Sequence, residues 1–230
     1  MQCVILAAGK GTRMGDLSKT LPKPLLEVSG KTLLEHKFDV LPEEVDEIVL
    51  VVGYLGNLIR ERYGENYKGK KISYAEQGSI NGTAGALWSA REILRDKFIV
   101  MMGDDLYGKR DVGRACKSST WLIFAMELSE PRGGKILASG GKVEDIIESD
   151  EHNSPGLVST NLFSLDVRLF EHEMVPKSEG SAEFGLPQTV LAASRKSGIS
   201  LELVQTNSWI QISSPEDLEY AEKVIGNFDV

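Results

Sequence analysis

The sequence predicts an α/β fold: a wound, mostly parallel sheet with helices on both faces. Three observations carry this. Apolar runs of strand length alternate with segments of helical periodicity. Several runs are apolar at nearly every position, as central strands covered on both sides require. Strand and helix follow one another through the first half in the order that βαβ crossovers demand.

Taken in order, residues 2–8 (QCVILAA), 46–52 (DEIVLVV), 70–76 (KKISYAE), 97–102 (KFIVMM) and 120–127 (TWLIFAME) read as strands. Leu33, Leu34, Lys37, Phe38 and Leu41 recur at helical spacing after the first strand, and Leu55, Leu58, Ile59 and Arg62 after the second. Residues 84–95 (AGALWSAREILR) form the best helix by propensity. The second half reads differently. Residues 134–148 are expected as a hairpin about Gly140-Gly141. A strand is expected over 157–166, a helix over 183–197 and a strand over 199–205. Ser214-Pro215-Glu216-Asp217 joins an N-cap hydroxyl, a proline at the first helical position and an acid at the third, so the last helix starts there. No repeat or linker separates the halves. Both are expected on one sheet, the first half nucleotide-like and the second substrate-like.

Composition narrows the function. The 230 residues carry 26 basic and 34 acidic side chains, a net charge of −8. That balance argues against general nucleic-acid binding. It permits a small phosphate ligand, since Mg²⁺ can neutralise both partners. No apolar run reaches the roughly 18 residues of a membrane span. The start, MQCVIL, lacks the basic segment and cleavage site of a signal peptide, which predicts a cytoplasmic protein. Cys3 and Cys116 make neither a disulfide framework nor a metal knuckle. The three histidines, at 36, 152 and 172, suggest no catalytic triad.

The first strand runs into Gly9-Lys10-Gly11-Thr12-Arg13-Met14-Gly15. Glycines there let backbone N–H groups close around an anion. Met14 breaks a dinucleotide fingerprint, and Leu25 breaks the P-loop that Gly30-Lys31-Thr32 imitates. Taken alone, the Gly-x-Gly is equally compatible with a tight strand–helix turn. The full stretch is LAAGKGTRM, followed by Pro22-Lys23-Pro24-Leu25 and by Gly30-Lys31-Thr32-Leu33-Leu34-Glu35-His36. This resembles the sugar-1-phosphate nucleotidylyltransferases, whose signature is LAAGxGTRM, then PKPL, then a GKPLIEH-like helix start. Shorter matches extend over nearly the whole chain: Val51-Val52-Gly53-Tyr54, Gln77 with Gly82-Thr83-Ala84-Gly85-Ala86, Gly103-Asp104, Glu183, and Trp209 to Asp217.

The resemblance implies a single nucleotidylyltransferase domain over 1–230 with a Rossmann-like nucleotide-diphospho-sugar transferase fold. About 1–127 would bind the nucleotide and about 128–230 the sugar phosphate. It implies a reaction joining a nucleoside triphosphate to a hexose 1-phosphate with release of pyrophosphate and with Mg²⁺ as cofactor. Arg13, Lys23 and Asp104 would be catalytic. Leu6, Ala8, Gly9, Gly11, Thr12 and Arg13 would hold the triphosphate, and Gln77, Gly82 and Thr83 would read the base. Gly134, Glu148, Thr160 and Glu183 would meet sugar hydroxyls. Asp104 would ligate the metal, with Asp105 as a neighbour of the same chemistry. The partners implied are the two substrates, with no nucleic acid and no membrane; the oligomeric state stays open, a homo-oligomer included.

Three departures stand out. Gln211 replaces the aspartate of the W-x-D motif, so the second metal ligand becomes a neutral oxygen donor. Ser149 replaces a phosphate-binding lysine of E-K-P. Asn161-Leu162-Phe163 replaces G-x-Y. The chain ends with no β-helix repeats, so the acyltransferase half of bifunctional relatives is not expected. These departures leave two further readings open. One is a cytidylyltransferase for a phosphate such as phosphocholine, caged by aromatics such as Trp209 and Phe163. The other is a nucleotide-binding regulatory subunit with little turnover.

Overall fold

A computed structural model describes residues 1–129, 133–149 and 155–229, with 133, 148 and 149 described by backbone only. The chain begins with β1 (Gln2–Ala7), α1 (Leu17–Thr20), a short hairpin of β2 (Glu27–Val28) and β3 (Lys31–Thr32), and α2 (Leu33–Val40). It continues through β4 (Glu47–Val52), α3 (Gly56–Tyr63), β5 (Asn66–Tyr67), β6 (Lys70–Glu76), α4 (Gly82–Ser89) and β7 (Lys97–Met102). Then come β8 (Leu106–Tyr107), α5 (Lys109–Lys117), β9 (Trp121–Leu128), and the hairpin β10 (Gly133–Ser139) and β11 (Lys142–Ser149). The rest is β12 (Gly156–Asp166), α6 (Leu186–Ser197), β13 (Leu201–Gln205), β14 (Trp209–Ile210) and α7 (Pro215–Val224). Among the described residues, no helix is long and apolar enough to cross a membrane.

Ten strands form one sheet in the order β10-β11-β13-β9-β12-β7-β1-β4-β6-β5, so both halves of the chain share it. The wound parallel expectation holds for β6, β4, β1 and β7. It is corrected in the second half. There β12 runs antiparallel to both β7 and β9, and the β10–β11 hairpin adds further antiparallel pairs. Only β13 lies parallel to β9. Because β10 also pairs with the start of β12, the distal strands curl toward a closed ring.

The central strands are buried on both faces, which explains their unbroken apolar sequence. Cys3, Ile5 and Ala7 point to one core with Ile48, Leu50, Ile99 and Met101. Val4, Leu6 and Ala8 point to the other with Val49, Val51, Phe98 and Val100. The GKTLLEH stretch turns out to be a helix start. Thr32 is the N-cap of α2 and shares a reciprocal capping box with Glu35, while His36 Nε2 bonds the Val28 carbonyl at 2.8 Å. Ser214 and Asp217 build the expected box at α7. Gly140 and Gly141 both adopt positive φ in the β10–β11 turn, as a tight hairpin requires. Two helices are shorter than their periodicity suggested: α4 stops at Ser89 rather than 95, and α6 begins at Leu186 rather than 183.

At the opposite end of the sheet from the strand C-termini, Gln2, Glu47 and Lys71 stand side by side in register. Glu47 accepts from Ser73 Oγ (2.6 Å), Lys71 Nζ (2.9 Å) and Gln2 Nε2 (2.9 Å). Burial pushes its carboxyl up, but these hydrogen bonds outweigh burial and hold it at about 2 against an ordinary 4.5. A depressed acid contributes stability above its unfolded value and loses it as pH falls through the folded value. Glu47 therefore contributes on the order of 3 kcal/mol at neutral pH. Glu47→Gln should lose stability of that order at pH 7 and show a flatter decline from pH 4.5 to about 2. Denaturant unfolding across that range checks both.

Candidate active site

The C-terminal ends of parallel strands are where an open α/β sheet binds ligands. Here that edge opens into a cleft of about 590 Å³. Its wall is drawn from distant parts of the chain: Leu6, Ala8, Gly9 and Arg13; Gln77, Gly82 and Thr83; Asp104 and Asp105; Gly134; and Glu183 with Gln211.

The loop after β1 is exposed at Gly9, Thr12 and Arg13 and hangs over the cleft. Gly11 takes φ +63, and a Cβ there would sit 3.0 Å from Lys23 Cβ, so the loop crosses close above Lys23. Lys23 itself is buried. Its Nζ donates to Asp104 Oδ2 at 2.6 Å and to the Ile212 carbonyl. Gly103 places Asp104 at the strand edge: its Cα faces β1 so closely that a Cβ would meet the Leu6 carbonyl at 2.8 Å. The next residue turns the other way. Asp105 is buried and accepts from Trp209 Nε1 (3.1 Å) and from the Ile212 amide (3.2 Å). Its two bonds bracket Gln211 from both sides.

Four charges thus gather under the cleft floor. Burial pushes the Asp105 carboxyl up to about 7, and the Asp104 charge adds to the rise. Lys37 of α2 is 1% exposed, with Nζ donating to the Leu33 carbonyl at 2.9 Å. Burial brings its ammonium down to about 7, opposed by the attraction of Asp104 and Asp105.

The base-side segment is fastened to the second half by backbone bonds. Ala84 N donates to the Phe184 carbonyl (3.1 Å), Phe184 N to the Asn81 carbonyl (2.8 Å), and Leu186 N to Thr83 Oγ1 (2.9 Å). Gly82 is required here: at φ +96 its Cβ would lie 2.3 Å from the Phe184 carbonyl oxygen. Gln77 Nε2 donates to Asn81 Oδ1 (3.1 Å) and to the Gly82 carbonyl (3.3 Å).

A family model described as nucleotidyl transferase matches residues 2–223. The chain belongs to the nucleotidyl transferase family. It is 30% identical to the UTP–glucose-1-phosphate uridylyltransferase AglF of Haloferax volcanii, over 97% of this chain and 96% of that protein. It is 27% identical to the bifunctional protein GlmU of Methanocaldococcus jannaschii over 98% of this chain, and it spans about half of that relative, 54%. The solved structure of a UDP-glucose pyrophosphorylase complexed with UDP-glucose matches with a TM-score of 0.78 over 98% of each chain, at 19% identity, a likeness of fold.

Most residues singled out by the family motifs reach the cleft wall: Leu6, Ala8, Gly9, Arg13, Gln77, Gly82, Thr83, Asp104, Gly134, Glu183 and Gln211. Gly11 and Thr12 belong to the overhanging loop rather than to the wall, and Lys23 reaches it through Asp104. Thr160 is a correction. It is 1% exposed, its Oγ1 donates to the Phe124 carbonyl at 3.1 Å, and its neighbours Ser159 and Asn161 line the cleft instead. The backbone of Glu148 pairs with Gly134, but its side chain, with Ser149's and all of Asp150, lies outside the described residues. Trp209 and Phe163 are buried and off the wall, so they form no aromatic cage for choline.

Sequence reasoning missed Asp105 as the tie that sets the Gln211 segment, and Lys37 as a buried charge. A signal existed for Lys37, since a lysine occupied a position of the apolar helical stripe. Asp105→Asn keeps one acceptor and sets an N–H against a donor. It should cost about 1–3 kcal/mol of stability. It should also weaken the site through Gln211, read as a lower unfolding midpoint together with reduced turnover.

Proposed function

We propose that this chain transfers a nucleotidyl group from a nucleoside triphosphate to a hexose 1-phosphate, giving an NDP-sugar and pyrophosphate. The observation that carries the reading is the shared cleft, where the Arg13 loop, the Gln77–Thr83 turn, Asp104 with Gln211, and Glu183 face one volume. The uridylyltransferase activity named for the Haloferax relative supports it.

The attacking group is already a phosphate oxyanion, because its second pKa is about 6. No general base is needed. A sugar-phosphate oxygen forms a bond to the α-phosphorus as the α–β bridging P–O bond breaks, and pyrophosphate leaves with that electron pair. What the protein supplies is alignment and charge neutralisation. Arg13 and the loop amides would hold the departing pyrophosphate. Lys23 would set the Asp104 carboxylate and contribute positive charge behind it. Glu183 and the second half of the wall would hold sugar hydroxyls.

The donor set suits Mg²⁺. Asp104 and Gln211 offer hard oxygen donors on one wall. Among the described residues, no group of three or more His, Cys, Asp or Glu could hold a metal by itself. Mg²⁺ commonly takes one or two carboxylates and completes its shell with phosphate oxygens and water. Held there, it would neutralise phosphate charge. A neutral amide at Gln211 makes the site one unit less negative than a pair of carboxylates would.

Gln77 would meet the base. Both of its amide N–H bonds are spent on Asn81 and Gly82, which leaves Oε1 as an acceptor. An acceptor can take the ring N–H of uracil, thymine or guanine, and it can also take the exocyclic amino group of cytosine or adenine. The uridylyltransferase activity named for the Haloferax relative favours the ring N–H. Trp209 and Phe163, buried and off the wall, offer no cage for a choline group.

A pyrophosphate-release screen of five nucleoside triphosphates against hexose 1-phosphates and phosphocholine, with Mg²⁺, tests both parts. Product is expected with a hexose 1-phosphate and with UTP, dTTP or GTP. Product from CTP and phosphocholine would overturn the reading, and nucleotide binding without any product would favour a regulatory subunit. A second measurement addresses the metal. Gln211→Asp should lower the Mg²⁺ concentration for half-maximal activity, and Gln211→Leu should lower activity further. Superimposable Mg²⁺ titrations for the wild type and both variants would remove Gln211 from the metal site.

A further inference from the structure

The strand β12 breaks its pairing with β9 at one place. Ser159 opposes Ala125 and Phe163 opposes Ile123, so residues 160–162 face the single residue Phe124. The bulge is a built feature, since its polar groups are satisfied. Tyr107 OH donates to the Thr160 carbonyl (2.8 Å), Thr160 Oγ1 to the Phe124 carbonyl (3.1 Å), and Asn161 N to Ser159 Oγ (3.1 Å). Thr160 and Leu162 are each 1% exposed. Asn161 between them is half-buried and lines the cleft.

Asn161 sits at φ +55, a left-handed conformation that favours glycine. The chain uses glycine at ten positive-φ positions among the described residues. Five other residue types stand at positive φ, namely Ser29, Leu55, Lys68, Asp96 and Asn161, and of these Asn161 alone lines the cleft. No hydrogen bond joins its side-chain amide to another described residue. A side chain is therefore kept where glycine would fit the backbone, its amide has no partner among the described residues, and the residue lines the same cleft as Ser159 and Glu183.

We infer that Asn161 is a specificity-determining residue that hydrogen-bonds hydroxyl groups of the acceptor sugar. An amide both donates and accepts, which matches the dual character of a hydroxyl. The two-residue alternation of a strand sets Asn161 on the side of Ser159, and both line the cleft, while the bulge leaves 160–162 out of register opposite Phe124. The inference rests on the nucleotidyl-transfer reading and deepens it.

Asn161→Gly is the informative variant because it relaxes the backbone while deleting the contact. Steady-state kinetics of pyrophosphate release, varying each substrate in turn, would be set beside thermal unfolding of the same preparations. The expected result is a KM for the hexose 1-phosphate raised about three- to tenfold, the range of one or two lost hydrogen bonds. The KM for the nucleoside triphosphate should stay unchanged and the melting temperature should be equal or higher. An unchanged sugar-phosphate KM in an active enzyme would overturn the inference and leave the nucleotidyl-transfer reading standing. A lower melting temperature with both KM values raised would also overturn it, since that marks a structural role. A wild type that turns over no hexose 1-phosphate would overturn the nucleotidyl-transfer reading and this inference together.

Discussion

The cleft depends on keeping two consecutive aspartates at the C-terminal edge of a buried sheet. Carboxylates in that position are costly without partners. Lys23 answers the first with a direct 2.6 Å contact, and the buried Lys37 adds its attraction to both. The cluster joins two carboxyls and two amines, with burial bringing both Asp105 and Lys37 to about 7. Breaking such a pair by removing one partner commonly costs 3–5 kcal/mol, because it strands the other charge. The arrangement therefore acts as one unit, and Asp104 and Asp105 are its members that line the cleft.

The same cluster ties the two halves of the chain together. Lys23 comes from the loop after α1, Asp104 and Asp105 from the end of β7, and Ile212 from the segment after β14. A second tie lies across the cleft, where the start of α4 is laced to residues 184–186 by backbone bonds. The cleft is the space left between these two fastenings. Its floor is the edge of parallel strands, and its far wall is the antiparallel addition that carries Ser159, Asn161 and Glu183.

For an acidic protein that handles polyphosphates, the distribution of charge matters more than the total. Arg13 projects from an exposed loop where phosphates can meet it, whereas Lys23 is paired with Asp104 and Lys37 is buried with its Nζ on the Leu33 carbonyl. Gln211 meets the cleft with a neutral amide on the wall that also carries Asp104 and Asp105.

The sequence by itself determined the wound α/β core, because unbroken apolar strands can be satisfied only by cover on both faces. It also determined the α7 capping box and the Gly140-Gly141 turn, since each is a local pattern with a local cause, whereas the glycine-rich loop and Asp104 were singled out through the family resemblance. Tertiary structure decided the rest. The antiparallel reversal of β12 depends on which strand pairs with which, a choice that alternation within one strand does not encode. Thr160 is turned from the cleft while Ser159 and Asn161 line it, because alternate residues of a strand face opposite sides and tertiary pairing decides which side meets the cleft. Asp105 reads as a loop acid until Trp209 and Ile212, more than one hundred positions away along the chain, arrive beside it, and Lys37 stands in an apolar helical stripe whose burial the packed fold completes. Burial and electrostatic pairing are properties of the folded neighbourhood, so they became visible only there.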